Sequence, residues 1–336
     1  MRSSYIIRRV LFLIGVIWSA ATLNFILPHL APRDPIKELI TQRVATMGLT
    51  AEGMNEQIES MKKLFGLDQP LWKQYLTYMG KILRFDLGFS IMNYPRTVNE
   101  LIAQAIPYTL SIVGVSTILA FLLGTIAGAL LGWTKSKLFV NLFLPPMMIF
   151  SATPSFVIAL ILIYYLAFKA RLFPLGRPYG MFTKVDWSSF KFWLEVIHHA
   201  MLPCISLILV SMGGWSLGMR AMMVTVEGDD YMTFGEAKGL KGARLFFQYA
   251  LRNALLPQVT GLAVQLGGIV SGSTLVEVYF QYPGLGSQLG GAIASFDYYM
   301  ISGIVFLLVA GIALATFLVD MLYPFIDPRI SYQKGT

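Results

Sequence analysis

The chain has 336 residues, of which 56% are hydrophobic and only 13% are charged, and its mean hydropathy is +0.63. A soluble domain of this size needs a polar coat, so the composition excludes an ordinary soluble protein and indicates one that lies in a membrane. The net charge of +8 is not gathered on one basic soluble domain, which argues against nucleic acid as a partner.

Six uncharged runs are each long enough to cross about 30 Å of hydrocarbon, which takes roughly 20 residues of helix. We therefore predict an all-α integral membrane protein with about six transmembrane helices. These are placed within 1–32, which includes a short N-terminal stub, and at about 107–132, 138–168, 200–220, 257–277 and 301–323. A further run, 278–296, is broken by Pro283 and several glycines, and it is interpreted as a loop or re-entrant segment.

Charges recur throughout residues 33–100, so we predict an extramembrane helical lobe there, followed by a transmembrane core over 101–336. Within the lobe, the aromatic residues between Leu71 and Leu83 favour a helix at the membrane interface. Lys and Arg are denser in 1–9, 133–137, 220–256 and 326–336 than in the other extramembrane segments. By the positive-inside tendency, both termini are predicted to be cytoplasmic and the lobe extracytoplasmic.

Two patterns within the runs concern helix packing. Gly124, Gly128 and Gly132 recur every four residues, which places small residues on one stripe where another helix can approach closely. Pro154, like the pair at 145–146, removes a backbone donor and is predicted to kink or interrupt the third span.

The sequence contains no phosphate-binding loop, metalloprotease motif or nucleophile elbow, so no catalytic residue is predicted. His198 and His199 are adjacent and would point about 100° apart on a helix, which argues against a metal site. Arg220, Glu277 and Asp320 stand at the ends of apolar runs. They are either residues of the headgroup region or charges of a gate or an interhelical pair.

Residues 227–256, between the fourth and fifth spans, are too long to serve only as a connection. Acidic residues stand where a helix would start, and Gly239 and Gly242 interrupt the pattern in the middle. This predicts two short amphipathic helices around a glycine hinge, parallel to the membrane surface. They either rest on lipid headgroups or dock into a partner protein.

The same segment resembles the coupling loop of binding-protein-dependent ABC importer permeases, in the form found in the dipeptide, oligopeptide and nickel group. The residues that carry this resemblance, and to which it assigns ATPase coupling, are Asp230, Tyr231, Glu236, Ala237, Lys238, Gly239, Leu240 and Lys241. Arg252–Pro257, Gly66–Pro70, Glu277–Phe280, Pro283–Gly286 and Asp327–Arg329 also resemble this group, in the same order along the chain. Pro32-Arg33-Asp34-Pro35 departs from the group's usual Pro-Gly-Asp-Pro, and Gly235 and Glu236 depart from its usual small residue and Arg.

The resemblance implies a six-helix, MetI-like permease fold in the cell membrane of a prokaryote. Its implied partners are a second homologous permease, two cytoplasmic ATPase subunits and an extracytoplasmic solute-binding protein. ATP and Mg would bind to the ATPases, so no cofactor is expected in this chain. Di- or oligopeptides are the expected cargo, with oligosaccharides or a nickel chelate as alternatives.

Three other classes of protein stay open on the sequence alone. A secondary transporter would need buried carboxylates and broken helices at the midplane, whereas the charges here lie at the ends of the runs. An intramembrane enzyme would need a nucleophile and base or metal ligands within the spans. A structural scaffold would have no ATPase partner.

Overall fold

The computed structural model describes residues 3–30, 51–269 and 273–326, and within these ranges the chain is helical apart from turns, loops and one isolated β-bridge, between Phe89 and Thr97. The all-α prediction is therefore confirmed. The helices are α1 Ser3–Leu30, α2 Ala51–Leu64, α3 Leu71–Ile82, α4 Val98–Thr109, α5 Val115–Trp133, α6 Lys137–Ala152, α7 Ser155–Leu162, α8 Phe190–Glu227, α9 Asp230–Ala237, α10 Gly242–Arg244, α11 Arg252–Gly267, α12 Thr274–Tyr279, α13 Leu285–Ala294 and α14 Tyr298–Ile326. There are also three π-helical segments. Leu110–Gly114 joins α4 to α5, Ile163–Lys169 extends α7, and Leu245–Leu251 joins α10 to α11.

Four helices in the described ranges are long and apolar enough to cross a membrane: Tyr5–Leu30, Val98–Trp133, Phe190–Glu227 and Tyr298–Met321. A fifth candidate is the pair Lys137–Ala152 and Ser155–Lys169, bent by 105° at Thr153 and Pro154. The predicted interruption of the third span thus lies at Pro154, where the chain is extended, while Pro145 and Pro146 are accommodated inside α6.

Two predicted spans differ from the observed helices. The fourth, placed at about 200–220, is part of the 38-residue helix α8, which begins at Phe190, ten residues before the predicted span, and ends at Glu227. The fifth, placed at about 257–277, is not one continuous helix, because α11 ends at Gly267 and α12 begins separately at Thr274. Residues 270–272 of that span lie outside the described residues. The count of six therefore stays a prediction.

The glycine stripe of α5 packs directly on α8, as the spacing predicts. A Cβ added to Gly124 would lie 2.7 Å from the carbonyl oxygen of Met212, and one added to Gly128 would lie 2.8 Å from Cβ of Met219. The residue numbers of the contacting positions increase together along the two helices, so α5 and α8 run parallel. The absence of side chains on the stripe lets the two backbones approach closely.

Two other pairs of helices run antiparallel. Helix α11 opposes α8, with Gln258 beside Gly218 and Gly261 beside Trp215. Helix α1 opposes α14, with Arg9 beside Asp320 at one end and Asn24 beside Ser302 further along.

Helix α3 packs against the last turns of α1. The Gln74 amide meets His29 at 3.2 Å, the Tyr78 ring lies 5.6 Å from that of Phe25, and Ile82 shares a hydrophobic cluster with Ala21. As the residue numbers increase along α3, the numbers of the contacting residues on α1 decrease, so the two helices are antiparallel. A helix is therefore present where one was predicted and is held against a candidate span, and its place at the membrane interface stays a prediction.

The end of α12 and the whole of α13 lie in the run 278–296, which was interpreted as a loop or re-entrant segment. With 6 and 10 residues, neither can span a membrane. Leu285 and Ala292 of α13 pack in one cluster with Ile102 of α4 and Met300 of α14. The hairpin formed by α12 and α13 is thus buried against two of the long helices.

Candidate functional site

The predicted coupling segment contains one short helix, α9, and a glycine after it, whereas the second helical stretch is not short, because α10 continues through the π-helical segment Leu245–Leu251 into α11. Helix α9 ends at Ala237, and Gly239 follows with φ of +79°, in the left-handed region that side-chain-bearing residues rarely adopt. Gly242 has an ordinary backbone and is the first residue of α10. The predicted break is therefore confirmed, with the strained position at Gly239.

One face of this segment is buried against the long helices. Met232 of α9 and Leu245 share a cluster with Met219 and Met223 of α8, a cluster that also includes residues of α5 and α11. Gly235 lets Leu245 approach, since an added Cβ would lie 2.8 Å from Cδ1 of that leucine. The segment is thus attached to the ends of α5 and α8 and to the start of α11.

The opposite face is open. Phe234 is 67% exposed, and Nζ of Lys238 lies 5.3 Å from the centre of its ring. A shallow depression is lined by Asp230, Tyr231, Phe234, Gly235, Lys238 and Tyr249. Of the residues assigned to coupling, Tyr231 and Leu240 are half-buried, and the exposed ones are Asp230, Glu236, Ala237, Lys238, Gly239 and Lys241. The exposed side chains of Phe234 and Lys238 form an aromatic and charged knob.

The three charges at the ends of apolar runs have different surroundings. Asp320 forms an interhelical ion pair, with Oδ2 2.7 Å from Nη1 of Arg9, and its carbonyl oxygen accepts a hydrogen bond from the Tyr5 hydroxyl at 3.2 Å. Arg220 is half-buried on α8, and its buried Nε has no hydrogen-bond partner in the part of the chain that the structure describes.

The charges do not form one cluster. Glu277 binds Thr109, near the start of the Val98–Trp133 helix, whereas the backbone of Arg220 lies against Gly132 near its end. These points are roughly 35 Å apart along the helix. A shared gate made of all three side chains is therefore excluded by the geometry.

Glu277 is 1% exposed and is not a residue of an exposed helix end. Its Oε1 accepts the Thr109 hydroxyl at 2.9 Å, and its Oε2 accepts the backbone N–H of Ser287 at 3.0 Å. The Thr109 oxygen accepts the N–H of Leu285 at 2.7 Å. Because Leu285 and Ser287 lie in the first turn of α13, the carboxylate sits where helix donors are unpaired.

The loop of residues 170–189, between the π-helical segment Ile163–Lys169 and α8, covers this hairpin. The backbone N–H of Arg177 donates to the carbonyl oxygen of Phe280 at 2.7 Å, and Nδ1 of His199 lies 2.9 Å from the Arg177 carbonyl oxygen. Nε2 of His198 lies 3.1 Å from the carbonyl oxygen of Leu172. Both histidines thus contact the loop backbone, and the described residues contain no group of three potential metal ligands.

Asp297, whose role was not predicted from the sequence, immediately precedes α14 and is 1% exposed. Its carboxylate accepts the Ser90 hydroxyl and the backbone N–H groups of Ile91, Met92 and Met300, the last three each at 3.2 Å. It therefore caps α14 and anchors the loop that precedes α4. The available signal was an Asp directly before an apolar run.

Comparison with known proteins decides the family. Residues 120–332 match the family described as binding-protein-dependent transport system inner membrane component. The chain belongs to this family. It is 31% identical to the oligopeptide transport system permease protein AppB of Bacillus subtilis, over 98% of this chain and 100% of that one. It is 30% identical to the di/tripeptide transport system permease protein DppB of Pseudomonas aeruginosa, over 98% and 99%, and 29% identical to the dipeptide transport system permease protein DppB of Escherichia coli K12, over the same shares.

Family membership makes this protein a multi-pass membrane permease and not an enzyme. It also implies a solute-binding protein and an ATPase as partners. The match covers α8, the coupling segment and α14, which are the elements whose contacts are described above.

Proposed function

We propose that this permease forms one half of the translocation path of an ABC importer for di- or oligopeptides. A second, homologous permease would form the other half, and two cytoplasmic ATPases would bind ATP and Mg, leaving this chain without a cofactor. The proposal for the cargo rests on the peptide permeases that resemble the chain over nearly its whole length. Oligosaccharides or a nickel chelate are the alternative cargoes for the same machinery.

Helix directions favour six crossings with both termini on one side. Helices α5 and α8 run parallel, so the chain must cross the membrane in the opposite direction between them, through α6 and α7. Helix α11 runs antiparallel to α8 and leads to the hairpin that binds Thr109, so it supplies the crossing before α14. The density of basic residues supports cytoplasmic termini and an extracytoplasmic lobe.

The coupling segment would transmit the motion of the ATPases to the membrane helices. Its inner face is packed on the ends of α5 and α8 and the start of α11, and its outer face presents Phe234 and Lys238. A partner that holds the exposed face can therefore move three membrane helices as one body when nucleotide closes the ATPases. No bond is made or broken in this chain, because it transmits motion and lines a path. A gradient-driven transporter would have no use for such a knob.

Deletion of the exposed ring tests this proposal. Phe234→Ala removes contact area from the knob without opening a core, so the chain should fold as before. With the partner permease, ATPases and binding protein in proteoliposomes, we expect substrate-stimulated ATP hydrolysis and uptake of a labelled dipeptide to fall by roughly tenfold, as for an interface hot spot. Phe182→Ala is the matched control, since Phe182 is 94% exposed on the loop that precedes α8. Equal activity of the two variants would remove the proposed coupling role of Phe234.

A further inference from the structure

The bend between α6 and α7 lies at the depth of the membrane interior. A Cβ added to Gly213 of α8 would lie 2.6 Å from the backbone nitrogen of Ser151, close to the bend at Thr153 and Pro154. Gly213 belongs to the candidate span Phe190–Glu227, and about 10 Å of helix separates it from residue 220, the nearer end of the span predicted at 200–220. Because the hydrocarbon is about 30 Å thick, the bend lies well inside it.

A second interruption of a helix lies at nearly the same depth. Helix α11 runs antiparallel to α8, with Gly261 beside Trp215, and it ends six residues later, at Gly267. That end is within about 6 Å of the level of the bend. The start of α12 adjoins the start of α7, because the hydroxyl oxygens of Ser273 and Ser155 are 3.4 Å apart. Two interrupted helices thus come together in the interior of the membrane.

The bend presents backbone groups that hydrocarbon does not tolerate. The last carbonyls of α6 and the first N–H groups of α7 have no partner within their own helices. Two of these carbonyls are satisfied, because the Ser151 hydroxyl donates to that of Met148 at 2.9 Å and the Thr153 hydroxyl to that of Ile149 at 2.7 Å. Ser151 and Pro154 are nevertheless exposed, so the described part of the chain does not cover the bend. Irregular backbone at this depth occurs only where it is buried in protein or lines water.

The polar side of the bend points away from the lipid-facing side of α6. Leu138, Leu142 and Ile149 are 79%, 63% and 62% exposed, and their spacing of four and seven residues puts them on one apolar stripe. Ser151 follows Ile149 by two residues, which is a rotation of about 200° around the helix. An apolar stripe suits lipid, whereas polar groups within a span face the bundle interior or a water-filled cavity. The exposed bend therefore fits an aqueous cavity.

We propose that the bend at residues 151–155, with Ser273 beside it, lines the translocation path inside the membrane and contacts the main chain of the passing peptide. This inference rests on the proposed function, because the other wall of the path would come from the second permease. Residues 151–155 carry hydroxyl groups and no charge. Hydroxyls and free backbone groups can hydrogen-bond to the main-chain N–H and C=O groups that every peptide carries. The bend would therefore accept peptides without selecting them by the charge of their side chains.

Cysteine accessibility in the assembled transporter tests this inference. Cys204 is the only cysteine of the chain, so Cys204→Ala gives a cysteine-free background. Ser151→Cys is then compared with its matched control Ile149→Cys, two residues away on the apolar stripe. The transporter is placed in lipid nanodiscs, and its modification by the water-soluble reagent methanethiosulfonate ethylsulfonate is read from the mass of this chain. We expect Ser151→Cys to react roughly tenfold faster, because the reactive thiolate forms poorly in apolar surroundings.

A dipeptide supplied with the binding protein should slow the modification of Ser151→Cys several-fold and leave Ile149→Cys unchanged. Equal rates for the two variants would show that protein or lipid covers the bend and would overturn the inference. A fast rate that the dipeptide does not alter would overturn the contact with cargo.

Uptake of a labelled dipeptide by the wild-type transporter in proteoliposomes tests the proposed function by itself. Uptake together with equal rates would place the path elsewhere and leave the proposed function standing. Fast modification of Ser151→Cys without uptake would retain the aqueous cavity and remove the peptide as its cargo.

Discussion

Thr109 at the end of α4 and Glu277 on α12 are joined by a buried hydrogen bond of 2.9 Å, and the same threonine oxygen accepts the N–H of Leu285 at 2.7 Å. One hydroxyl therefore links α4 to both helices of the hairpin. The second carboxylate oxygen of Glu277 accepts the N–H of Ser287. Loss of the hydroxyl would leave a buried carboxylate oxygen and a buried backbone donor short of a partner.

Thr109→Val tests the contribution of this hydroxyl, because valine keeps the shape of the side chain and removes its hydrogen bonds. We expect the free energy of unfolding to fall by about 1–3 kcal/mol, the usual cost of leaving a buried polar group unpaired. Denaturation in detergent with and without the substitution measures this. Thr109→Ser retains the hydroxyl and should cost less than Thr109→Val. Equal effects of the two variants would contradict the predicted role of the hydrogen bonds.

The hairpin also depends on a close backbone approach at Gly286. A Cβ there would lie 2.7 Å from Cα of Thr274, so Gly286→Ala forces the two backbones apart and should cost about 1–3 kcal/mol of stability. Gly291, on the same helix, has no atom within 4 Å of an added Cβ. Gly291→Ala should therefore be neutral or stabilising by about 0.5–1 kcal/mol. Thermal denaturation of the two variants compares them directly, and destabilisation by both would refute the contact.

The sequence predicted the elements whose signals are local. Glycine spacing located the α5 and α8 contact, Pro154 located the bend between α6 and α7, and the acidic start and the glycines located helix α9 and the break that follows it. In each case, one or a few residues within the segment determine where its helix packs closely, bends, begins or ends. The physical cause therefore lies within the segment itself.

The surroundings of the charged residues could not be predicted in the same way. Apolar runs show that Glu277 and Asp320 interrupt a hydrophobic sequence, but the runs carry no information about the partner. Thr109 and Arg9, the observed partners, lie 168 and 311 residues away along the chain. Only tertiary packing brings them together, and the same holds for Ser90 and Asp297.

The parallel contact of α5 with α8 predicts a strong size limit at Gly128. A Cβ there would lie 2.8 Å from Cβ of Met219 and 2.9 Å from the carbonyl carbon of Ser216. Gly128→Ala should lower the free energy of unfolding by about 1–3 kcal/mol through overpacking. Gly214→Ala on α8 meets no atom within 4 Å and should have little effect. Unfolding of both variants in detergent tests this, and an unaffected Gly128→Ala would contradict the close packing.

Asp297→Asn should loosen the loop before α4. The amide keeps the size of the side chain but cannot accept the hydrogen bonds of Ser90, Ile91 and Met92 as a carboxylate does. We expect a loss of about 1.5–3 kcal/mol, as for hydrogen bonds to a charged group, and faster hydrogen exchange at the amides of Ile91 and Met92. Asp86→Asn, at an exposed carboxylate that accepts one N–H, is the control. Unchanged exchange in Asp297→Asn would argue against the anchor.

The backbone at Gly239 gives the sharpest test of the coupling segment. Alanine in the left-handed region costs about 1–2 kcal/mol, and no atom lies within 4 Å of the added Cβ, so Gly239→Ala acts on the backbone of the turn alone. We expect peptide uptake per ATP hydrolysed to fall several-fold in proteoliposomes, because α9 and α10 would lose their mutual orientation. Gly242→Ala, three residues further on, adds the same methyl group to open space at an ordinary backbone position and should leave the ratio unchanged. If both variants keep the wild-type ratio, the orientation of the two helices is not what couples the ATPases to the membrane helices.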